Sequence, residues 1–337
     1  MEMFTICQGM RISRTGFGAL PIQRVPKSES TEILRAAYDG GITFFDTARA
    51  YSDSEEKLNA AFSDVREKII IATKTQATDA AGMECDLETS LCTLDTDYVD
   101  IYQFHNTSFV PKPGGADGLY DAALKAKRAG KIRAIGITQH SLSGAKEALA
   151  SGLYATIQYP YNHLATDEEI AFANECHEKG VGLIAMKALS GGLVTDARLP
   201  FAFIRQFPGI VPIWGIQRMA EIEQILAMSD NPPELAGEIQ QKIDEDRREL
   251  SGSFCRACGY CLPCPVGIPI QNANRIKQLM TRSPVAPFIT QAWQAEMEKI
   301  PKCTKCKVCE SRCPYHLKPY ETLPEQLAYY RSVIEKL

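Results

Sequence analysis

Cysteine supplies the first chemical signal in this chain. Of its twelve cysteines, eight fall between Cys255 and Cys313, while Cys7, Cys85, Cys92 and Cys176 are scattered. The first group reads FCRACGYCLPCPVGIP: Cys255, Cys258, Cys261 and Cys264, each separated from the next by two residues, then Pro265. The second reads KCTKCKVCESRCPYHLKP: Cys303, Cys306, Cys309 and Cys313, then Pro314. Three closely spaced thiolates can grip three corners of one cubane of iron and sulfide, and the fourth, set off by proline, commonly turns away to a partner cluster. The second group follows the cluster-binding run C-x2-C-x2-C-x3-C-P, and the first is one residue shorter before its fourth cysteine. This spacing predicts two [4Fe-4S] clusters, one on Cys255, Cys258, Cys261 and Cys313, the other on Cys303, Cys306, Cys309 and Cys264. Zinc is the alternative, although four-cysteine zinc sites usually present two pairs rather than two quartets each closed by proline. The scattered four are expected to be ordinary buried or surface thiols, since free cysteine packs as a small hydrophobe.

A second constellation lies upstream. Asp46 and Tyr51 stand in GITFFDTARAY, Lys74 in IIIATKT and His105 in YVDIYQFHN. A phenol is a poor acid at neutral pH, with a reference pKa of about 10. A neighbouring ammonium favours the phenolate, so Lys74, held charged by Asp46, would make Tyr51 a usable general acid. His105 would donate a hydrogen bond to a carbonyl oxygen as negative charge develops on it.

These residues need a frame that brings strand ends together. Eight short apolar runs are expected strands: Gly16–Leu20, Thr43–Asp46, Ile69–Thr73, Val99–Phe104, Ile132–Ile137, Thr156–Gln158, Gly182–Met186 and Val211–Trp214. Helical patterns alternate with them, which implies parallel βαβ units. Eight repeats in about 230 residues fit an α/β fold of the closed (β/α)8 barrel type, although a doubly wound open sheet has the same local pattern. In such a barrel chemistry sits at the C-terminal ends of the strands. Asp46, Lys74 and His105 end the second, third and fourth runs, and Tyr51 follows in a loop. Asn231-Pro232-Pro233 reads as a linker, so residues 1–232 are expected to be the barrel and 233–337 a small, mainly α-helical iron–sulfur domain.

From about residue 10 to 230 the chain resembles the aldo-keto reductases. GFGAL, GITFFDTARAY, the strand-end Lys74, YVDIYQFHN, IRAIGIT and IQYPYN carry the likeness, and Asp46, Tyr51, Lys74 and His105 match the family's catalytic tetrad. The resemblance implies a nicotinamide cofactor, NAD(H) or NADP(H), lying across the barrel mouth without a Gly-rich loop. Asp46 also counts among the cofactor contacts that the resemblance implies. Gln158 matches the residue that holds the carboxamide, and Thr138 and Gln139 fall where a Ser-Asn pair usually serves the same end. In LIAMKALSGG, Met186, Lys187 and Leu189 follow the seventh run, with Met186 where an aromatic ring often stacks. In WGIQRMAEIEQ, Gly215, Gln217, Arg218 and Glu221 fall at the adenosine phosphate. Glu221 stands where NADP-preferring members tend to have a basic residue, and an acid there repels a 2′-phosphate. The C-terminal segment resembles a two-cluster ferredoxin domain, and a barrel joined to one is itself a recognised aldo-keto reductase subfamily.

The implied activity interconverts a carbonyl and an alcohol on a small substrate. An electron-transfer or redox-sensing protein that uses the barrel as a scaffold is the alternative. The chain has 337 residues and a net charge of −4, with Lys and Arg scattered, so no nucleic-acid partner is expected. No apolar run is long enough to span a bilayer, and the expected location is cytoplasmic. A ferredoxin-like carrier is an expected redox partner. His140, His163, His177 and His316 show no ligand pattern and are expected to be structural or solvated.

Overall fold

In a computed structural model, residues 1–250, 254–282 and 285–335 are described. The chain divides into two units, Met1–Ala188 with Arg198–Gln240, and Leu189–Ala197 with Gln241–Leu337.

The first unit opens with a hairpin, β1 (Met3–Cys7) and β2 (Met10–Ser13). Eight further strands follow: β3 (Gly16–Gly18), β4 (Phe44–Asp46), β5 (Ile70–Thr75), β6 (Val99–His105), β7 (Ile132–Thr138), β8 (Thr156–Pro160), β9 (Gly182–Met186) and β10 (Ile210–Gly215). All pair in parallel, β10 closes back onto β3, and the result is the closed barrel expected from the alternation of apolar runs and helices. The strands are apolar through nearly their whole length because a parallel barrel is covered on both faces. Helices α1 (Lys27–Asp39), α2 (Ser54–Phe62), α3 (Ala80–Leu94), α4 (Leu119–Arg128), α5 (Leu142–Ser151), α6 (Asp167–Glu178), α7 (Arg198–Ile204) and α8 (Met219–Asp230) alternate with them.

The interior is packed rather than hollow. Phe44, Ala72, Ile101, Ala134, Ile184, Val211 and Ile213 fill it, and the hairpin adds Ile6, Cys7 and Ile12. A Cβ on Gly182 would come 2.4 Å from Ile6 Cγ1 and 2.7 Å from its carbonyl, so the hairpin requires a glycine at the start of β9.

Helix α9 (Gly237–Glu249) leads into the second unit, which is built from short helices: α10 (Ile270–Ala273), α11 (Ile276–Arg282), α12 (Gln291–Met297), α13 (Val308–Ser311) and the longer α14 (Pro319–Ile334). Their core is small, with Ile268, Ile270, Ile276, Met297, Ile300, Leu323, Leu327 and Tyr330 packed around the buried Cys261 and Cys309. A core of this size gains much from a metal staple. No helix among the described residues is long and apolar enough to cross a membrane.

Candidate active site and cluster cavities

Strand register sets the first site. Parallel pairing puts Lys74 of β5 beside Gln103 of β6, and aligns His105, Thr138 and Gln158 across β6, β7 and β8. Asp46 ends β4. Beyond it the chain stays on β5: Thr47 N–H donates to the Ala72 carbonyl at 2.8 Å and Arg49 N–H to the Lys74 carbonyl at 3.0 Å. The loop that carries Tyr51 is then caught at the start of α2. Ser54 Oγ lies 2.9 Å from Thr47 Oγ1 and donates to the Ala19 carbonyl at 3.2 Å.

The four residues that the sequence singled out lie together. Lys74 Nζ donates to Asp46 Oδ2 at 2.7 Å and to the Thr47 carbonyl at 2.6 Å, with both side chains of the ion pair buried. It lies 5.2 Å from the centre of the Tyr51 ring. The His105 ring meets Tyr51 edge-on at 5.8 Å. Burial pushes Lys74 below the usual lysine range and Asp46 above the usual carboxylate range, and their mutual attraction opposes both shifts. Burial drives His105 down to about 3, and Lys74 adds to the shift, so its imidazole is neutral. Its Nδ1 is buried with no hydrogen-bond partner among the described residues.

Two neighbours were not expected. Gln103, fully buried, donates through Nε2 to Gln158 Oε1 at 2.9 Å and to Asp46 Oδ1 at 3.4 Å, and its Oε1 accepts from Thr138 Oγ1 at 3.4 Å. Gln158 Nε2 reaches Asp46 Oδ2 at 3.4 Å. The second is Glu55, which accepts the Thr73 and Ser90 hydroxyls at 2.6 and 2.7 Å and pairs with Arg49 of the Tyr51 loop. Gln103 had one legible sign: it stands two residues before a strand-end histidine, and so on the same strand face. Glu55 had none beyond its acidity.

The expected dinucleotide contacts are more dispersed. Thr138, Gln139 and Gln158 are buried at the ends of β7 and β8, and Gln139 Nε2 donates to the Thr107 carbonyl at 3.3 Å. An amide carries two donors and two acceptor lone pairs, so Gln158 retains one of each for a carboxamide. Met186 is buried at the end of β9, and Lys187 follows with φ 59°, its carbonyl accepting from Asn162 Nδ2 at 3.1 Å. Leu189 belongs to the second unit. Gly215 ends β10, and past it Glu221 turns its carboxylate onto its own helix start, accepting Gln217 N–H at 2.8 Å and Arg218 N–H at 3.2 Å.

In the second unit the eight clustered thiols line two adjoining cavities. One, about 330 Å³, is walled by Cys255, Cys258, Cys261 and Cys313. The other, about 380 Å³, is walled by Cys264, Cys303, Cys306 and Cys309, and Cys261 also borders it. The backbone around them repeats. Ala257 and Lys305 are the matching residues before the second cysteine of each quartet, with φ 50° and 52°. Gly259 and Lys307 follow that cysteine at φ 83° and 61°, and Gly267 and His316 close the two motifs at 74° and 53°. Left-handed residues alternating with right-handed ones turn successive N–H groups into one concavity, the form in which backbones bind anions and iron–sulfur groups. Lysine and histidine adopt this conformation only at a cost, which is typical of a binding site. Four thiols spread around a cavity suit a group with four corners. A single zinc instead draws four sulfurs to about 2.3 Å from one centre. Among the described residues no three His, Cys, Asp or Glu side chains converge on one point in that way. Burial raises Cys261 to about 12, with Cys255, Cys258 and Cys313 adding their charges, and burial also raises Cys255 and Cys309. Iron would have to displace those protons.

Comparison with known proteins follows the same division. The aldo/keto reductase family profile matches residues 14–206, and a 4Fe-4S dicluster domain profile matches residues 254–318. The aldo-keto reductase YhdN of Bacillus subtilis is 33% identical over 219 residues, which are 58% of this chain and 64% of that protein. Aldo-keto reductase str7 of Strobilurus tenacellus is 29% identical over 205 residues, 55% of this chain and 60% of that one. The chain thus spans less than two thirds of the length of these relatives. Among solved structures, a putative aldo-keto reductase from Pseudomonas aeruginosa aligns with a TM-score of 0.61 at 25% identity, over 68% of this chain and 94% of its own. An aldo-keto reductase from Klebsiella pneumoniae in complex with NADPH aligns with a TM-score of 0.63 at 23% identity, over 73% and 95%. With its barrel matched by the family profile over more than half its length, this chain belongs to the aldo-keto reductase family and carries a 4Fe-4S dicluster domain behind that barrel.

Proposed function

We propose that the chain is an oxidoreductase that interconverts a small aldehyde or ketone and its alcohol with a nicotinamide cofactor. The observation that carries this reading is the buried Lys74–Asp46 pair at 2.7 Å, with Lys74 Nζ 5.2 Å from the Tyr51 ring and His105 edge-on to the same ring. When bound, the dinucleotide supplies the hydride. Tyr51 gives its phenolic proton to the substrate oxygen. An ammonium has three donors, and Lys74 uses two on Asp46 and Thr47, which leaves the third for the phenol. Neutral His105 has an N–H to donate to the same substrate oxygen, and its Nδ1 has no hydrogen-bond partner among the described residues. Thr138, Gln139 and Gln158 hold the carboxamide, with Gln103 fixing the Gln158 amide in orientation. Glu221 already occupies the start of α8 with negative charge, so NADH is preferred over NADPH.

The eight thiols hold two [4Fe-4S] clusters in the crossed grouping of the two cavities. Hydride carries two electrons and a cubane takes one, so the clusters do not draw directly on the dinucleotide. They brace the second unit or exchange single electrons with a ferredoxin-like carrier. For the second role the support is Cys306, exposed and flanked by the exposed Lys305 and Lys307. Clustered reduced thiols also suit the cytoplasm. Turnover of a panel of aldehydes, ketones and alcohols with NADH and NADPH tests the enzymatic reading. Iron-replete protein that oxidises neither cofactor with any carbonyl would overturn it.

A further inference from the structure

Arg275 lies just ahead of α11 and is only 5% exposed. Its Nε donates to the Gln271 carbonyl at 3.1 Å and its Nη1 to the Ser190 carbonyl at 3.3 Å. Among the described residues no carboxylate reaches it. The second observation lies on the other side of the same oxygen: Cys255 Sγ reaches the Gln271 carbonyl at 3.7 Å, so thiol and guanidinium share one acceptor. A Cβ on Gly191 would stand 3.1 Å from Arg275 Nη1 and 3.2 Å from the Ala257 side chain, which encloses the cation further. A buried cation bonded only to neutral carbonyls is costly unless an anion stands near it. Across the shared carbonyl lies the cavity ringed by Cys255, Cys258, Cys261 and Cys313. A cubane on four thiolates is a net anion, and it gains a further negative charge when it takes an electron.

We infer that Arg275 is the counter-cation of the cluster held by Cys255, Cys258, Cys261 and Cys313, and that it raises that cluster's reduction potential. This rests on the iron–sulfur reading of the cavities and not on the barrel chemistry. One electron enters from an external reductant, no proton moves, and Arg275 stays charged throughout. Its effect is local for a dielectric reason. A charge in the protein interior acts through an effective constant of about 20, whereas an exposed one is screened by water at about 80. Lys302, Lys305 and Lys307, near the other cavity, are exposed and act weakly by comparison. Arg275 is a positioning and tuning residue, and it is not required to touch substrate.

The test is a dithionite titration with redox mediators on full-length protein purified without oxygen, read by electron paramagnetic resonance. Wild type should contain about eight irons, the content of two cubanes. Stoichiometric zinc in its place would sink the cluster reading itself, independently of Arg275. In Arg275→Gln, one of the two midpoint potentials should fall by about a tenfold change in the reduction equilibrium, about 59 mV for one electron, while the other holds. Arg275→Lys, which keeps the charge, should remain near wild type. Unchanged potentials in an iron-replete Gln variant, or equal shifts in both clusters, would overturn the inference. If the Gln variant loses one cluster and the Lys variant keeps both, the requirement is for charge and the inference stands. If both variants lose it, the residue's role is purely structural and the inference falls.

Discussion

At the scale of single residues, the site is a set of polar groups whose environments differ sharply. Asp46 and Lys74 are buried, Tyr51 and His105 are partly exposed, and with His105 neutral the phenol of Tyr51 is the group proposed as the acid. Tyr51→Phe should lower kcat by about 10²- to 10⁴-fold, the usual worth of a positioned acid, with the circular dichroism spectrum and dinucleotide affinity unchanged. Retention of most of kcat would remove Tyr51 from its role. His105 makes a separate prediction. Its folded pKa, about 3, lies below the unfolded value of about 6.5. Between those values the unfolded chain binds a proton that the folded chain does not, so acidification through that window costs stability. From pH 7 to pH 5 this amounts to about 2 kcal/mol, and His105→Asn should be relieved of that loss in urea unfolding at the two pH values. An equal loss in both proteins would show that His105 does not carry it. The matched four were legible because each ends a strand or follows one. Gln103 was only faintly so: it shares a strand face with His105, but a lone glutamine in an apolar run matches no motif and its partner Gln158 lies 55 residues on.

At the scale of elements, the barrel strands were legible nearly to the residue because burial on both faces makes them continuous apolar runs. The N-terminal hairpin was not. Its two-residue turn is Gln8-Gly9, both with positive φ (43° and 79°), and glutamine lacks the Asn-Gly or Asp-Gly signature of that turn. The last helix begins at Pro319 and carries Pro324 inside it. Either proline suits a helix start, and the earlier one is used. Helix α8 has a functional consequence. Glu221 satisfies the N–H groups of Gln217 and Arg218 that would otherwise attract a phosphate. Removing its charge should therefore admit NADPH. Glu221→Gln is expected to raise kcat/KM for NADPH about tenfold relative to NADH, the equivalent of about 1.4 kcal/mol. A cofactor ratio that does not move would place the dinucleotide phosphate elsewhere.

At the scale of the whole molecule, the chain joins two chemistries that do not exchange electrons easily. The barrel brings Tyr51, on a loop, beside Lys74 and Asp46 at strand ends, the arrangement proposed for two-electron hydride chemistry. The second unit holds eight thiols around two cavities, as one-electron chemistry requires. The sequence showed both parts through local spacing, but it could not show that residues 189–197 belong with the second unit, because that depends on distant side chains. Arg275 reaches the Ser190 carbonyl and Arg282 the Leu193 carbonyl at 2.9 Å, contacts with no trace in any short motif. The most direct measurement is an anaerobic rapid-mixing experiment on iron-replete protein, with nicotinamide and cluster absorbance followed together. NADH alone should leave the clusters oxidised. Adding an aldehyde should then consume NADH in wild type and not in Tyr51→Phe, with the cluster bands unchanged. Cluster bleaching by NADH alone within a turnover time, with no flavin present, would contradict the account, as would aldehyde-dependent NADH oxidation that survives in Tyr51→Phe.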